Sequence, residues 1–335
     1  MTAAAAVAEK LRAALGQVRP GLTAIDGLHR LTGGASRETW RFNAIGRDGA
    51  EPMILRRAPG EAHQTVMATS LLPSQEARLH QAADKAGVPV ASVVHVLTDD
   101  DALGDGFIMR CLDGETIARK ILREKHFSMA RSRLPAQCGE ALAALHAIEP
   151  AAFRNHLPTR GPQAEIDEYR AIHDGFGEAH PVFEAAFRWL SENVPPDRPM
   201  TLVHGDFRIG NLMIDDNGLV AVLDWELAQI GDPMMDLSWI SVPSWRFGNM
   251  DRPVGGISDR ESLFDAYEAA SGRSVDRERV RFWEILGTLK WGIMCQMLCH
   301  AHLRGDIRSV ERAAIGRRVS ETELDLLLYL DGAMP

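Results

Sequence analysis

A break in pattern between Thr201 and Asp224 narrows the architectures open to this chain. It interrupts sequence that otherwise reads as helix. Two short apolar runs, Leu202-Val203 and Leu212-Met213-Ile214, are followed by an Asp-Asn-Gly turn and then by Leu219-Val220-Ala221-Val222-Leu223. The Asn217-Gly218 dipeptide between apolar runs is a strong hairpin signal, because tight hairpin turns need positive φ.

The rest of the chain divides around this hairpin. From about Leu28 to Leu112 the sequence is strand-rich. Thr39 to Asn43 alternates with a strand period, Met53 to Arg57 is a second strand, and Gly46 to Gly49 turns between them. Ser74 to Ala86 has helical spacing and stops at Gly87 before Pro89. Val93 to Leu97 and Gly106 to Leu112 are two further strands. After about Glu115 helices dominate, at Gln137 to Ile148, Ile166 to Phe176, Val182 to Leu190, and again from Asp232 onward. The expected fold is α+β and bilobal: a small strand-rich lobe over 1–112 and a larger, mainly helical lobe over 113–335. A length of 335 residues, 45% hydrophobic, supplies the core for two lobes.

Charge and cysteine usage exclude other classes. A net charge of -9 opposes general nucleic-acid binding, which needs basic faces. Cys111, Cys138, Cys295 and Cys299 are too unevenly spaced for a disulfide framework, so a reducing compartment fits. Met1 to Leu15 is Ala-rich but carries Glu9, Lys10 and Arg12, and reads as an amphipathic helix rather than a signal peptide. Phe282 to Leu303 is interrupted by Glu284, Lys290 and Gln296, as a buried helix would be and a membrane span would not. A cytoplasmic protein without a membrane partner is expected.

The chemistry concentrates in His204-Gly205-Asp206-Phe207-Arg208-Ile209-Gly210-Asn211 and in Asp224. Asp206 sits where a loop can aim a carboxylate at a substrate hydroxyl. Asn211 ends that loop with an amide oxygen for Mg²⁺, and the hairpin delivers Asp224 as a second oxygen ligand. Mg²⁺ takes a few such oxygens and completes its shell with phosphate and water. Phosphoryl transfer asks for positioning and charge neutralisation above all.

Together with Leu223-Asp224-Trp225-Glu226, Gly231-Asp232-Pro233 and Asp236-Leu237, these residues resemble the aminoglycoside phosphotransferase and choline kinase-like family, over about residues 25 to 300. Gly33 to Trp40 and Val222 to Leu227 are similar to the branch associated with acyl-CoA dehydrogenases. The resemblance implies a protein-kinase-like fold, ATP or GTP with Mg²⁺ as cofactors, and a small-molecule hydroxyl as acceptor. It makes Asp206 the catalytic base and Asn211 and Asp224 the metal ligands, and gives Asp236 a buried role holding the loop backbone. Trp225-Glu226 stands where protein kinases carry Phe-Gly, which removes any argument from a mobile kinase-style switch. His204 is expected to brace the loop rather than to transfer protons.

A kinase-like small lobe also needs a phosphate-covering turn, a cation on its third strand and a helix Glu to orient that cation. Gly33, Gly34 and Ser36 are the candidates for the turn, where glycines let N–H groups approach phosphate. Arg56 is the candidate cation and Glu76 its partner. Strand alternation sends Arg56 and Arg57 to opposite faces, and either could face inward. Met109 and Cys111, in Met109-Arg110-Cys111-Leu112, fall at the hinge where an adenine edge would meet backbone groups. The Cys295, Cys299, His300 and His302 group lies among apolar residues and reads as a buried helix rather than a zinc site. Trp239, Trp245, Trp283 and Trp291 read either as core packing or, for some of them, as the lining of an acceptor pocket. The acceptor itself stays open among aminoglycosides, choline-like alcohols, macrolides and, by the branch resemblance, hydroxy acids or hydroxyacyl compounds.

Overall fold

The computed structural model describes residues 3–31, 37–58 and 71–334. Gly33, Gly34 and Ser36 lie outside the described residues. Helix α1 (Ala3–Val18) leads into strands β1 (Ala24–Arg30), β2 (Glu38–Gly46) and β3 (Gly49–Arg57), then α2 (Pro73–Ala86), β4 (Val93–Val96) and β5 (Gly106–Arg110). The strands form one antiparallel sheet in the order β1-β2-β3-β5-β4. The turn expected at Gly46 to Gly49 closes β2 onto β3, with Gly46 and Gly49 directly paired.

Alternation along the sheet explains its packing. Phe42, Met53, Leu55 and Ile108 join Leu11 and Leu15 of α1 in a small buried core, as a half-buried antiparallel sheet requires. Helix α2 belongs elsewhere. Its Leu79 and Ala83 are part of the much larger core of the helical region, while its buried His80 tilts against Phe107 of β5 at 5.6 Å. Thus α2 links the sheet to the helices.

Beyond the sheet come α3 (Ala118–Arg123), α4 (Ser128–His146), α5 (Pro162–Asp174) and α6 (Pro181–Glu192). The embedded strands are β6 (Thr201–Val203), β7 (Leu212–Asp215), β8 (Gly218–Val222) and β9 (Gln229–Gly231). Asp215 Oδ1 accepts the N–H groups of Asn217 and Gly218, closing the expected β7–β8 hairpin. The chain continues through α7 (Pro233–Trp239), α8 (Arg260–Ser271), α9 (Arg277–Leu303), α10 (Val310–Gly316) and α11 (Val319–Leu330). Helices α4 and α8 cross closely at Gly139, where a Cβ would meet the Leu263 carbonyl and the Tyr267 nitrogen at 2.8 Å. Among the described residues no helix is long and apolar enough to cross a membrane.

Candidate active site

The site is built on the loop between β6 and β7. Gly205 has φ +77°, and an added Cβ there would collide with the backbone of Leu227; only glycine allows that approach without strain. The loop is fixed from beneath by Asp236 of α7, which is fully buried. Its Oδ2 accepts the His204 N–H at 2.7 Å, and its Oδ1 accepts the Gly205 N–H at 2.9 Å. His146 of α4 donates to the same carboxylate from Nε2 at 3.1 Å, and its Nδ1 meets the Tyr267 hydroxyl at 3.0 Å. Burial alone would raise the Asp236 carboxyl, but these hydrogen bonds and the nearby histidines hold it below its ordinary value.

His204 completes the brace. Its Nδ1 accepts the Asp206 N–H at 3.2 Å, so its proton sits on Nε2, which donates to the Leu223 carbonyl at 3.0 Å. Burial pushes its pKa down against the pull of Asp236, Asp206 and Asp224. A neutral ring with both nitrogens committed ties the loop to the residue before Asp224, as the sequence suggested.

Asp206 is held on both carboxylate oxygens. Trp239 Nε1 donates to Oδ1 at 2.6 Å and Arg208 Nε to the same oxygen at 3.1 Å. Asn211 Nδ2 donates to Oδ2 at 2.6 Å and to the Asp206 carbonyl at 3.0 Å. With its NH₂ spent on Asp206, the Asn211 amide turns its oxygen the other way. The Leu223 N–H donates to the Asn211 carbonyl at 2.8 Å, which sets Asn211 beside Leu223-Asp224. Asp224 itself has φ +63°, a left-handed conformation that costs a residue with a Cβ about 1 kcal/mol. Its carboxylate is about one-third exposed.

The small lobe reaches this carboxylate through Arg56. One guanidinium nitrogen donates to Asp224 Oδ1 at 2.7 Å, and Nε lies 3.0 Å from Oε1 of the fully buried Glu76. Burial works against the Arg56 charge, but Glu76, Asp224 and Glu226 more than offset it and keep the group protonated. Arg57 points to the other face, where two of its nitrogens donate to Glu38 at 2.9 and 2.7 Å. Of the two arginines, Arg56 is thus the one that faces Asp224. Met109 pairs with Ile54 inside β5. Cys111 follows the strand, and its N–H is donated to the Pro52 carbonyl at 3.0 Å. Any hydrogen bond from the Cys111 backbone to an adenine edge therefore falls to its carbonyl.

The donor set suits Mg²⁺. Among the described residues no three His, Cys, Asp or Glu side chains gather into a metal-binding group. Asn211 and Asp224 offer two oxygens on adjacent segments, which matches an ion that leaves most of its shell to phosphate and water.

Three groups at the site were not legible as such in the sequence. Arg208 lies over the Trp245 ring at 4.8 Å as well as against Asp206. Trp239 was one of four candidate tryptophans, and only the fold aims its N–H at Asp206. Lys290 of α9 is buried, with its ammonium 4.9 Å from the Trp239 ring centre and 5.5 Å from that of Tyr169. Burial disfavours the Lys290 charge, yet Tyr169, Glu165 and Asp206 raise its pKa. A lysine in the middle of an apolar helix was the available signal.

A two-lobed arrangement with a carboxylate loop, an oxygen-donor hairpin and a cross-lobe arginine defines a kinase-like phosphotransferase. The sequence profile of the phosphotransferase enzyme family matches residues 27–283, and the chain belongs to that family. Among curated proteins it is similar to acyl-CoA dehydrogenase family member 10 of Mus musculus, at 28% identity over 235 residues, 64% of this chain and 21% of the relative. It is also similar to family member 11 of Homo sapiens, at 25% identity over 310 residues, 83% of this chain and 37% of the relative. The chain thus spans between about a fifth and two-fifths of the length of such relatives. Among solved structures, an aminoglycoside phosphotransferase-type protein from Ralstonia eutropha JMP134 superposes with a TM-score of 0.76 at 21% identity, covering 97% of this chain and 98% of the other. A choline/ethanolamine kinase family protein from Mesorhizobium loti superposes at 0.61 and 21% identity, covering 97% and 95%. These likenesses show the kinase-like α+β fold expected from the sequence.

Proposed function

We propose that the protein transfers the terminal phosphoryl group of ATP or GTP, with Mg²⁺, to the hydroxyl of a small molecule. Residues 1–112 form the nucleotide-clamping lobe in this reading, and 113–335 the catalytic and acceptor lobe. The observation that carries it is the meeting of Asp206, Asn211 and Asp224 with the Arg56–Glu76 pair.

Each side chain has a task in that reading. Asp206 accepts the acceptor's proton, oriented by Trp239, Arg208 and Asn211. Asn211 and Asp224 would hold Mg²⁺, which supplies neutralisation of phosphate charge. Arg56, set by Glu76, grips the phosphates of the nucleotide with its planar fork. Gly33, Gly34 and Ser36 cover them, and Met109 and Cys111 flank the base.

The acceptor side supports a hydroxy-acid or hydroxyacyl compound over an aminoglycoside. Arg208, Lys290 and Arg318 lie over Trp245, Trp239 and Trp291 respectively. Cations interleaved with indoles suit an acceptor with a carboxylate or carbonyl and an apolar body, and repel a polycation. An ATP-consumption screen over hydroxy acids, hydroxyacyl thioesters, choline-like alcohols, macrolides and aminoglycosides tests this. Turnover with the first two classes supports it. Turnover confined to aminoglycosides rejects the acceptor assignment. Nucleotide binding without turnover on any class supports the rival reading, a non-catalytic nucleotide-binding module.

A further inference from the structure

A cavity of about 530 Å³ opens on the helical lobe at the back of the Asp206 loop. It lies between the end of α4, the approach to β6, the start of α7 and the α8–α9 connection. Its size falls in the range of small-molecule sites, about 300–1,000 Å³. None of the residues assigned above to the nucleotide, the metal or the acceptor lines it.

The wall combines charge with apolar surface. Three guanidinium groups line it, from Arg198, Arg273 and Arg279, against two carboxylates, Glu149 and Asp232. Asp232 is consumed: it caps α7 through the Met234 N–H and binds Arg279 and the Trp283 indole. Arg198 pairs with Asp276 at 2.9 Å, and Glu149 Oε1 accepts the Ala151 N–H. Arg273 is exposed in the α8–α9 connection, where its guanidinium also neighbours the Tyr267 hydroxyl. Thr201 adds an unanswered hydroxyl beside the cavity wall. It is 4% exposed, lines the cavity, and its hydroxyl has no hydrogen-bond partner among the described residues. A buried hydroxyl left so is unfavourable, because it has given up its hydrogen bonds to water. Ile148, Pro199 and Met234 add apolar surface.

We propose that this cavity is a second ligand site, which takes a small organic anion with a short apolar body. The anionic head meets Arg273 and the Thr201 hydroxyl, and the body lies on Ile148, Pro199 and Met234. Occupancy is communicated to the Asp206 loop by two short routes. Thr201 begins β6, whose last residue Val203 precedes His204, and His146, also in the wall, donates to Asp236.

Calorimetric titration of the full chain with butyl phosphate tests the site, with and without a saturating non-hydrolysable ATP analogue and Mg²⁺. Saturable one-to-one binding that persists beside the nucleotide is expected. Arg273→Ala should weaken it at least tenfold, Thr201→Val about fivefold, and Arg56→Ala less than twofold. Amide hydrogen exchange in the segment 201–205 should slow on addition of butyl phosphate. Arg273 is exposed and Thr201→Val keeps the side-chain shape, so both variants are expected to fold. The proposal is overturned by absence of saturable binding, by displacement with the nucleotide analogue, or by full affinity in Arg273→Ala. Equal binding of neutral 1-butanol, equal binding of inorganic phosphate, or unchanged exchange in 201–205 would each overturn it as well.

Discussion

The two halves of the candidate site are held in contrasting ways. The Asp206 half is set within the helical lobe, by Asp236 beneath the loop and by Trp239, Arg208 and Asn211 around the carboxylate. The Asp224 half is held across the lobes, by one arginine that reaches over from β3 and by a backbone in a left-handed conformation. The difference teaches where the site is rigid and where it can respond. A loop whose His204 and Gly205 N–H groups are answered by a buried carboxylate, and whose Asp206 N–H is answered by a buried imidazole, is held in one geometry. A partly exposed carboxylate with a single charged partner can exchange that partner for a cation. On the function proposed above, the acceptor end would be preset and the nucleotide end completed when ligand arrives.

Four measurements can break or sharpen this contrast. The largest effect is expected at Asp206. Asp206→Ala should lower kcat about 10⁴-fold while leaving nucleotide affinity within about threefold, because the nucleotide end is held separately. Steady-state kinetics and nucleotide titration would show it, and retained turnover would remove Asp206 from the chemistry.

Next comes the buried support. Asp236→Ala leaves the His204 and Gly205 N–H groups and His146 without their acceptor. A loss of about 3–5 kcal/mol in unfolding free energy is expected, as for breaking a buried charge network. Urea denaturation checks it, and a loss under about 1 kcal/mol would mean the loop is held by other means.

Third is a pH effect at the joint between lobes. Burial of His80 on α2, with Arg56 and His204 adding repulsion, lowers its pKa to about 4. The unfolded chain takes up that proton near pH 6.5 and the folded chain only near pH 4. The stability tied to the neutral ring is therefore complete above pH 6.5 and lost as pH falls toward 4. The full loss is about 3 kcal/mol for a shift of this size. His204 shifts in the same direction. Urea midpoints across this window should fall in the native chain and fall less steeply in His80→Phe. Identical pH profiles would exclude His80 as the source.

The smallest effect separates the two arginines. Arg56→Ala should raise the nucleotide KM about tenfold, and Arg57→Ala less than twofold, since among the described residues the Arg57 side chain donates to Glu38 and the Leu103 carbonyl, away from Asp224. Equal responses would erase the distinction between a cleft-facing and an outward arginine. Asp224→Ala belongs with Arg56→Ala. It should weaken Mg²⁺-nucleotide binding by a similar factor while leaving metal-free nucleotide binding less affected.

Much of the fold could be read directly from the chain because local pattern decides local structure. Strand alternation at Thr39 to Asn43, the Gly87 stop after α2 and the Asn217-Gly218 turn each depend on neighbours a few residues away. Element edges were less legible. Helix α4 begins at Ser128 and runs through Pro135, which the apolar spacing from Gln137 onward did not reveal. Strand β1 begins at Ala24, earlier than the run from about Leu28 suggested, because all its side chains except those of Ile25 and Leu28 are exposed and the irregularity at Gly27 breaks the alternation.

Sequence alone singles out the candidates for chemistry: an acid after His-Gly, an amide five positions on, a second acid past a hairpin, and an arginine on the third strand. It also determined the order of a strand-rich and a helical region, since periodicity and turn chemistry are local properties. How those residues meet is a property of the packed fold. Arg56 finds Asp224 across 168 positions of chain, Asp236 reaches back to the loop from 31 and 32 positions away, and Trp239 and Lys290 arrive from separate helices. Contacts of that separation are set by how sheet and helices pack as whole bodies, and no short window of sequence encodes them.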